Sequence, residues 1–119
     1  MKEYTHQQWL DEIKSRFGEN IMDWAFKCPA CGKVSTGKEF KDAGAAPDDM
    51  YQTCIGRFNG KGRSYLDGKG PYKDGCDWAA YGFFGTMNKG CIVIAENGNR
   101  IEVFPMAEKK EKASQSQQR

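Results

Sequence analysis

The chain has 119 residues, a length that suits a single domain with a modest hydrophobic core. Hydrophobic residues make up 39% and charged residues 29%, which is typical of a soluble globular protein. The net charge of +2 is too small to identify a partner, and no apolar run approaches the roughly 20 residues that a membrane-spanning helix needs.

The first predicted element is an amphipathic helix over residues 5–17. It begins with a capping-box pattern, since Thr5 is followed three residues later by Gln8. Gly18 is placed to end the helix in a left-handed conformation. The apolar side chains recur at four-residue spacing and form one stripe: Trp9, Ile13 and Phe17.

A strand and two short helices are predicted next. Large apolar side chains stand at every second position from Met22 to Phe26, alternating with Asp23, Ala25 and Lys27, which is the period of a half-buried strand. A second capping box, Thr36 with Glu39, predicts a short helix that ends near Gly44. Pro47 suits the first turn of another short helix, which would end just before the cysteine at position 54.

The second half of the chain predicts a loop, an irregular strand and a hairpin. Residues 59–75 are rich in glycine and lysine and predict a long loop, and residues 78–87 predict an irregular strand. Two apolar segments, 91–95 and 100–104, flank Asn97-Gly98, a strong signal for a two-residue hairpin turn.

The expected hairpin register follows from that turn. With Asn97-Gly98 as a two-residue loop, Ile94 pairs with Ile101 and Ile92 with Val103, and these four side chains share the buried face.

The expected fold is therefore a small zinc-stapled α+β domain. It has an N-terminal amphipathic helix, two short helices and an antiparallel sheet that ends in the hairpin. We expect one domain over residues 1–107 and a disordered polar tail over residues 108–119, which contains no apolar anchor. The N-terminus has no apolar segment of the signal-peptide type, so we expect a cytoplasmic location.

The cysteines are the most informative residues about chemistry. There are five, an odd number that argues against a disulfide framework in a chain expected to be cytoplasmic. Cys28 and Cys31 form a Cys-x-x-Cys knuckle with Gly32 at its exit, a pattern by which two thiolates bind one tetrahedral metal ion. Thiolates favour Zn²⁺ over harder metals, so we predict one structural zinc ion.

Zinc needs two further ligands, for which Cys54 and Cys76 are the predicted candidates. Cys91 is the alternative ligand, although its place at the start of a strand favours a packing role. His6 opens a helix far from the knuckle and is expected at the surface. Two other interpretations of the knuckle remain open, a redox pair and plain buried cysteines; a redox pair usually opens a helix within a βαβ pattern.

The pattern does not favour an enzyme. A site closed by four cysteines leaves no position for water, and the chain has one poorly placed histidine and no phosphate-binding loop. We therefore expect no catalytic residues, no membrane association and no small-molecule substrate. A redox or hydrolytic enzyme is a weaker alternative.

The predicted loop carries a local excess of positive charge. Between Ile55 and Lys73 there are five basic residues and one acidic residue. The basic residues are the candidates for contact with an anionic partner: Arg57, Lys61, Arg63, Lys69 and Lys73. A solvated loop with no partner is an equally simple interpretation.

The motifs resemble those of a family of small, zinc-finger-like phage and prophage proteins. The resemblance covers about residues 24–107, and its motif order is CPxCG, then CIGRF, then GCxW. In this sequence the motifs are Cys28-Pro29-Ala30-Cys31-Gly32, Cys54-Ile55-Gly56-Arg57-Phe58 and Gly75-Cys76-Asp77-Trp78. The resemblance implies a phage or prophage origin and a bacterial host cell, supports Cys54 and Cys76 as ligands, and leaves Cys91 outside the motifs.

Two functions are therefore expected to compete. The first is a non-enzymatic nucleic-acid-binding module, in which the basic loop contacts phosphates and Tyr65, Tyr72 or Trp78 stacks on exposed bases. Packing of Trp78 in the core beside the zinc site is the simpler expectation for that residue. The second is a module that binds a host protein, as an inhibitor or an anti-defence protein.

Overall fold

The computed structural model describes residues 1–67, 71–82 and 84–108. The fold is a small mixed α+β domain, as predicted. In chain order its elements are β1 (Lys2–Thr5), α1 (His6–Phe17), β2 (Ala25–Lys27), β3 (Val34–Thr36), α2 (Gly37–Asp42), β4 (Cys91–Ile94) and β5 (Arg100–Val103). Within these described ranges, four short 3₁₀ helices lie between them, at Ile21–Asp23, Pro47–Tyr51, Ile55–Arg57 and Tyr65–Asp67. Beyond residue 108, the predicted tail lies outside the described residues.

Both capping boxes are confirmed. At the start of α1, the Gln8 backbone N–H donates to Thr5 Oγ1 at 3.1 Å, and the Thr5 N–H donates to Gln8 Oε1 at 2.9 Å. Thr36 and Glu39 make the same reciprocal pair at the start of α2. Each pair satisfies N–H groups that a helix start would otherwise leave without partners. The apolar stripe of α1 is buried as expected.

The N-terminal strand β1 is an element that the sequence did not predict. It pairs in parallel with β4, which is the central strand of a three-stranded sheet in the order β1-β4-β5. Lys2 lies opposite Cys91, and Thr5 lies opposite Ile94. Most of β1 is exposed and has no alternation of apolar side chains, so its pairing leaves no local signal in the sequence.

The predicted register of the hairpin β4–β5 is wrong by one residue. We expected Ile94 opposite Ile101 and Ile92 opposite Val103, whereas Val93 lies opposite Ile101. The shift changes which side chains face the core. Val93 and Val103 are buried, and Ile101 is exposed.

The turn explains this shift. The Ala95 N–H donates to the Asn99 carbonyl at 2.8 Å, so the loop contains three residues, 96–98, and not two. Gly98 has a φ of +90°, the left-handed conformation that closes a three-residue hairpin loop. An Asn-Gly pair is compatible with both loop lengths, and the longer loop moves the pairing by one position.

Two predicted strands also differ from the structure. Residues 21–23 form a 3₁₀ helix, because Asn20 Oδ1 accepts the Met22 N–H and caps a turn, so β2 begins only at Ala25. Within the described part of 78–87 there are turns in place of a strand. Gly85 and Met87 have positive φ values of +56°, which a strand cannot accommodate.

Aromatic side chains form the core beside the β2–β3 hairpin. Phe26 on β2 lies between Trp9 and Tyr51, with ring centroids 6.0 and 5.3 Å away. The strand that buries Phe26 leads directly into Cys28, so the core fixes the position of the knuckle. Among the described residues, no helix combines the length and apolar character needed to cross a bilayer.

Candidate metal centre

Four of the five cysteines meet at one point in the structure. The sulfur atoms of Cys28, Cys31, Cys54 and Cys76 all lie within 4.8 Å of one another. Cys28 Sγ is 3.7 Å from Cys76 Sγ, and Cys31 Sγ is 3.7 Å from Cys54 Sγ. Three of these side chains are buried and Cys31 is half-buried, whereas Cys91 lies apart on β4. These are the four cysteines that the sequence nominated as ligands.

The knuckle is shaped by backbone hydrogen bonds. The Cys28 N–H donates to the Lys33 carbonyl, and the Gly32 N–H donates to the Cys28 carbonyl, each at 2.9 Å. Gly32 has a φ of +83°, a conformation that costs little only for glycine. The resulting turn brings the sulfur atoms of Cys28 and Cys31 into the same cluster.

Cys54 and Cys76 are joined by a second set of backbone contacts. The Cys54 N–H donates to the Trp78 carbonyl at 3.1 Å. Two further N–H groups point at sulfur, from Cys76 to Cys54 Sγ at 3.2 Å and from Trp78 to Cys76 Sγ at 3.4 Å. N–H donors of this kind stabilise negative charge on sulfur, which is the form that binds a metal.

Glycines allow the backbone to pass very close to this pair. A Cβ atom on Gly56 would lie 2.4 Å from the Cys76 carbonyl oxygen, and one on Gly62 would lie 2.3 Å from the Gly56 carbonyl oxygen. No other residue type fits at such distances. Part of the predicted glycine-rich loop is therefore packed against the cysteine cluster.

The spacing of the sulfur atoms fits a tetrahedral metal ion. With a Zn–S distance of about 2.3 Å, the sulfur atoms of a regular tetrahedron are separated by about 3.8 Å. The two 3.7 Å separations agree with that value, and they are far longer than the roughly 2.05 Å of a disulfide bond. The four cysteines could thus hold one metal ion.

The four clustered thiols shift one another's pKa values in opposite directions. The pKa of Cys54 is lowered, chiefly by its hydrogen bond with Cys28, and the pKa of Cys28 is raised, chiefly by its hydrogen bond with Cys31. Hydrogen bonds with the other three cysteines raise the pKa of Cys76. Four crowded thiols cannot all ionise without a cation between them, whereas a bound dication would allow each to bind as a thiolate.

Two of the predicted basic residues, Arg57 and Arg63, are hydrogen-bonded to the segment that contains Cys76. Arg57 is exposed, and its guanidinium donates to the Asp77 carbonyl at 2.9 Å. The Arg63 N–H donates to the Gly75 carbonyl at 3.2 Å, which places this residue along the segment that contains Cys76. Lys61, Arg63 and Lys73 have exposed side chains, and Lys69 lies outside the described residues.

The aromatic residues nominated for stacking on bases pack against one another. The ring centroid of Tyr65 lies 5.6 Å from that of Tyr72 and 5.4 Å from that of Trp78. Trp78 is buried, in line with the expectation that it belongs to the core. Two other aromatic side chains are exposed instead, Tyr81 and Phe84. Sequence reasoning missed them because it assigned their segment to a strand.

The comparisons with known proteins identify a family. The family model described as VVA0879-like matches residues 5–107, a range that includes all four clustered cysteines and the basic residues. No curated protein and no solved structure matches the chain. The chain belongs to the VVA0879-like family.

Proposed function

We propose that this protein is a non-enzymatic binding module whose fold is organised by one structural Zn²⁺ ion. The observation that carries the proposal is the cluster of four cysteine sulfurs within 4.8 Å of one another. Zinc bound by four thiolates has no open coordination position for water or a substrate, so such sites stabilise folds and do not usually catalyse reactions.

The ligands come from distant parts of the chain, which is why the ion would matter for folding. It would tie the knuckle of Cys28 and Cys31 to Cys54 and to Cys76, 22 residues further along. Apparent binding free energies of structural zinc are about 10–16 kcal/mol in zinc-finger peptides, while whole domains are stable by about 5–15 kcal/mol. Loss of the ion is therefore expected to unfold the domain.

A pair of cysteine variants tests the zinc site. Cys76→Ser should reduce the zinc content well below one ion per chain and abolish cooperative unfolding. Cys91→Ser makes the same chemical change outside the cluster and should retain one zinc ion per chain. Retention of zinc and stability by Cys76→Ser would overturn the assignment of this residue as a ligand.

We also propose nucleic acid as the partner, bound through the basic residues of the loop over residues 57–73. Arg57, Lys61, Arg63 and Lys73 have exposed side chains, as phosphate contacts require, and Lys69 is included from the sequence. On the resemblance of its motifs, the protein would act in the cytoplasm of a bacterial host as a phage or prophage product.

The salt dependence of binding tests this partner. Each phosphate contact contributes about −0.7 to −0.9 to the slope of log K against log salt concentration. The double variant Lys61→Ala/Lys73→Ala should therefore bind more weakly and reduce the magnitude of that slope. The control double variant Lys2→Ala/Lys38→Ala removes the same amount of charge outside the loop. It should change the affinity and the salt slope less than the loop variant does. The alternative of a host-protein inhibitor would be favoured by two results together. The protein would show no measurable affinity for nucleic acid, and it would capture one host protein from a lysate treated with nuclease.

A further inference from the structure

An exposed apolar groove lies beside the basic loop. Leu66, Tyr81 and Phe84 are exposed by 79%, 65% and 62%, the largest values among the big hydrophobic side chains of the described residues. They line one groove together with Trp78 and Arg57. A surface that clusters such side chains beside a cation is typical of a binding site.

The exposed Phe84 ring of this groove packs on the buried indole of Trp78, which is itself held in place. The Trp78 indole Nε1–H donates to the Gly85 carbonyl at 2.7 Å, and the indole packs edge-on against Tyr65. The Phe84 ring lies nearly parallel to the indole, with an interplanar angle of 23° and a centroid separation of 6.4 Å. A buried, hydrogen-bonded tryptophan therefore sets the orientation of an exposed ring.

Among the described residues, the groove has one cationic side chain beside its rings, with one carboxylate near it. Arg57 lines the groove, and its guanidinium is positioned by the Asp77 carbonyl. The Asp77 carboxylate also lies in the groove, where its Oδ1 accepts the Tyr65 N–H at 3.0 Å. Arg63 is exposed two residues before Tyr65. The groove thus combines exposed ring faces with the guanidinium of Arg57, and a second exposed arginine, Arg63, lies outside the groove lining.

We propose that this groove binds single-stranded nucleic acid, with unpaired bases stacked on Tyr81 and Phe84 and a phosphate bound by Arg57. The inference deepens the nucleic-acid function proposed above and rests on it. Every base presents a π-face, but a duplex keeps its bases stacked inside, so exposed rings can bind only unpaired bases. The charge of Arg57 complements a phosphate and has no such role with an apolar peptide.

Fluorescence anisotropy with three labelled probes tests the proposal. The probes are a mixed-sequence single-stranded DNA, the same sequence as RNA, and the DNA duplex. Both single strands should bind the zinc-loaded protein more tightly than the duplex. A preference for one of the two single strands shows which sugar the groove selects, and it supports the proposal when that strand binds more tightly than the duplex.

Matched variants assign the binding to the rings. Tyr81→Ala and Phe84→Leu each remove one stacking face, and the second keeps an apolar contact to Trp78. Since stacking contributes about 1–3 kcal/mol per base, each variant should weaken single-strand binding about 5- to 150-fold. The salt slope should stay unchanged because no charge is removed. Tyr81→Phe retains the ring and should bind like wild type, and Ile101→Ala, an exposed apolar change outside the groove, should also have no effect.

The results of these experiments distinguish failure of the groove assignment from failure of the proposed nucleic-acid function. Equal binding of duplex and single strand, or unchanged affinity of both ring variants, would overturn the groove assignment. If the lysine double variant still reduces the salt slope, nucleic-acid binding itself survives that failure. A different result would be that the ring variants lose affinity for a purified host protein while they still bind nucleic acid. That result would assign the groove to a protein partner and overturn the proposal.

Discussion

A methyl group on Gly56 should disrupt the candidate metal centre from the backbone side. The Cβ atom of alanine at this position would lie 2.4 Å from the Cys76 carbonyl oxygen and 2.7 Å from the Cys76 nitrogen. Both are backbone atoms and cannot rotate away, so the segments around residues 56 and 76 must separate by about 1 Å to reach normal van der Waals contact. Cys54 and Cys76 would separate with them.

The expected cost lies at the upper end of the range for overpacking, at about 3 kcal/mol. Because metal binding and folding are coupled in a site of this kind, the same free energy should weaken zinc affinity by about 100-fold.

Urea unfolding of the zinc-loaded protein and competition with a chelator measure the two effects. Gly82→Ala is the matched control, since its Cβ atom would have one neighbour, the Ala79 carbonyl oxygen at 3.3 Å, and it should cost less than about 1 kcal/mol. The reasoning is refuted if Gly56→Ala and Gly82→Ala have the same stability and the same zinc affinity.

Three further predictions concern the fold around the site. Thr86 is fully buried, and its hydroxyl donates to Glu102 Oε2 at 2.6 Å. Urea unfolding should show that Thr86→Val lowers the free energy of unfolding by about 1.5–3 kcal/mol, because the carboxylate loses this donor, and that Thr86→Ser lowers it by clearly less. Thr36→Ala removes the N-cap of α2 and should cost about 1 kcal/mol in thermal unfolding, whereas a stability equal to that of Thr36→Ser would contradict a capping role. Burial raises the pKa of Tyr51 to about 12. An unfolded tyrosine ionises near pH 10, so the folded chain holds this proton longer, and its stabilising contribution is complete below about pH 10 and lost as the pH rises towards 12. Urea unfolding should then show wild type losing stability relative to Tyr51→Phe over that window, and parallel pH profiles would argue against it.

Local signals predicted the helices and the cysteine cluster well. Thr5 and Thr36 identify helix starts because a capping box is complete within four residues. The ligand candidates were recognisable because thiolate chemistry limits the choice to five cysteines, and Cys91 lies in a strand pattern.

Features that depend on distant partners or on alternative turn types were not predictable. The pairing of β1 with β4 joins residues almost 90 positions apart, and nothing in Lys2–Thr5 indicates it. The hairpin register depends on whether Gly98 closes a two- or a three-residue loop, and both loops end with the same Asn97-Gly98 pair. The exposure of Tyr81 and Phe84 follows from the turns around Gly85, which composition alone did not separate from an irregular strand.

The central claim is that one zinc ion organises this fold, and metal analysis combined with chelation tests it most directly. Protein purified without added metal should contain one zinc ion per chain, and removal of that ion by a strong chelator should abolish the cooperative thermal transition until zinc is restored. A metal-free chain that unfolds cooperatively, at a temperature that neither chelator nor zinc changes, would contradict the claim.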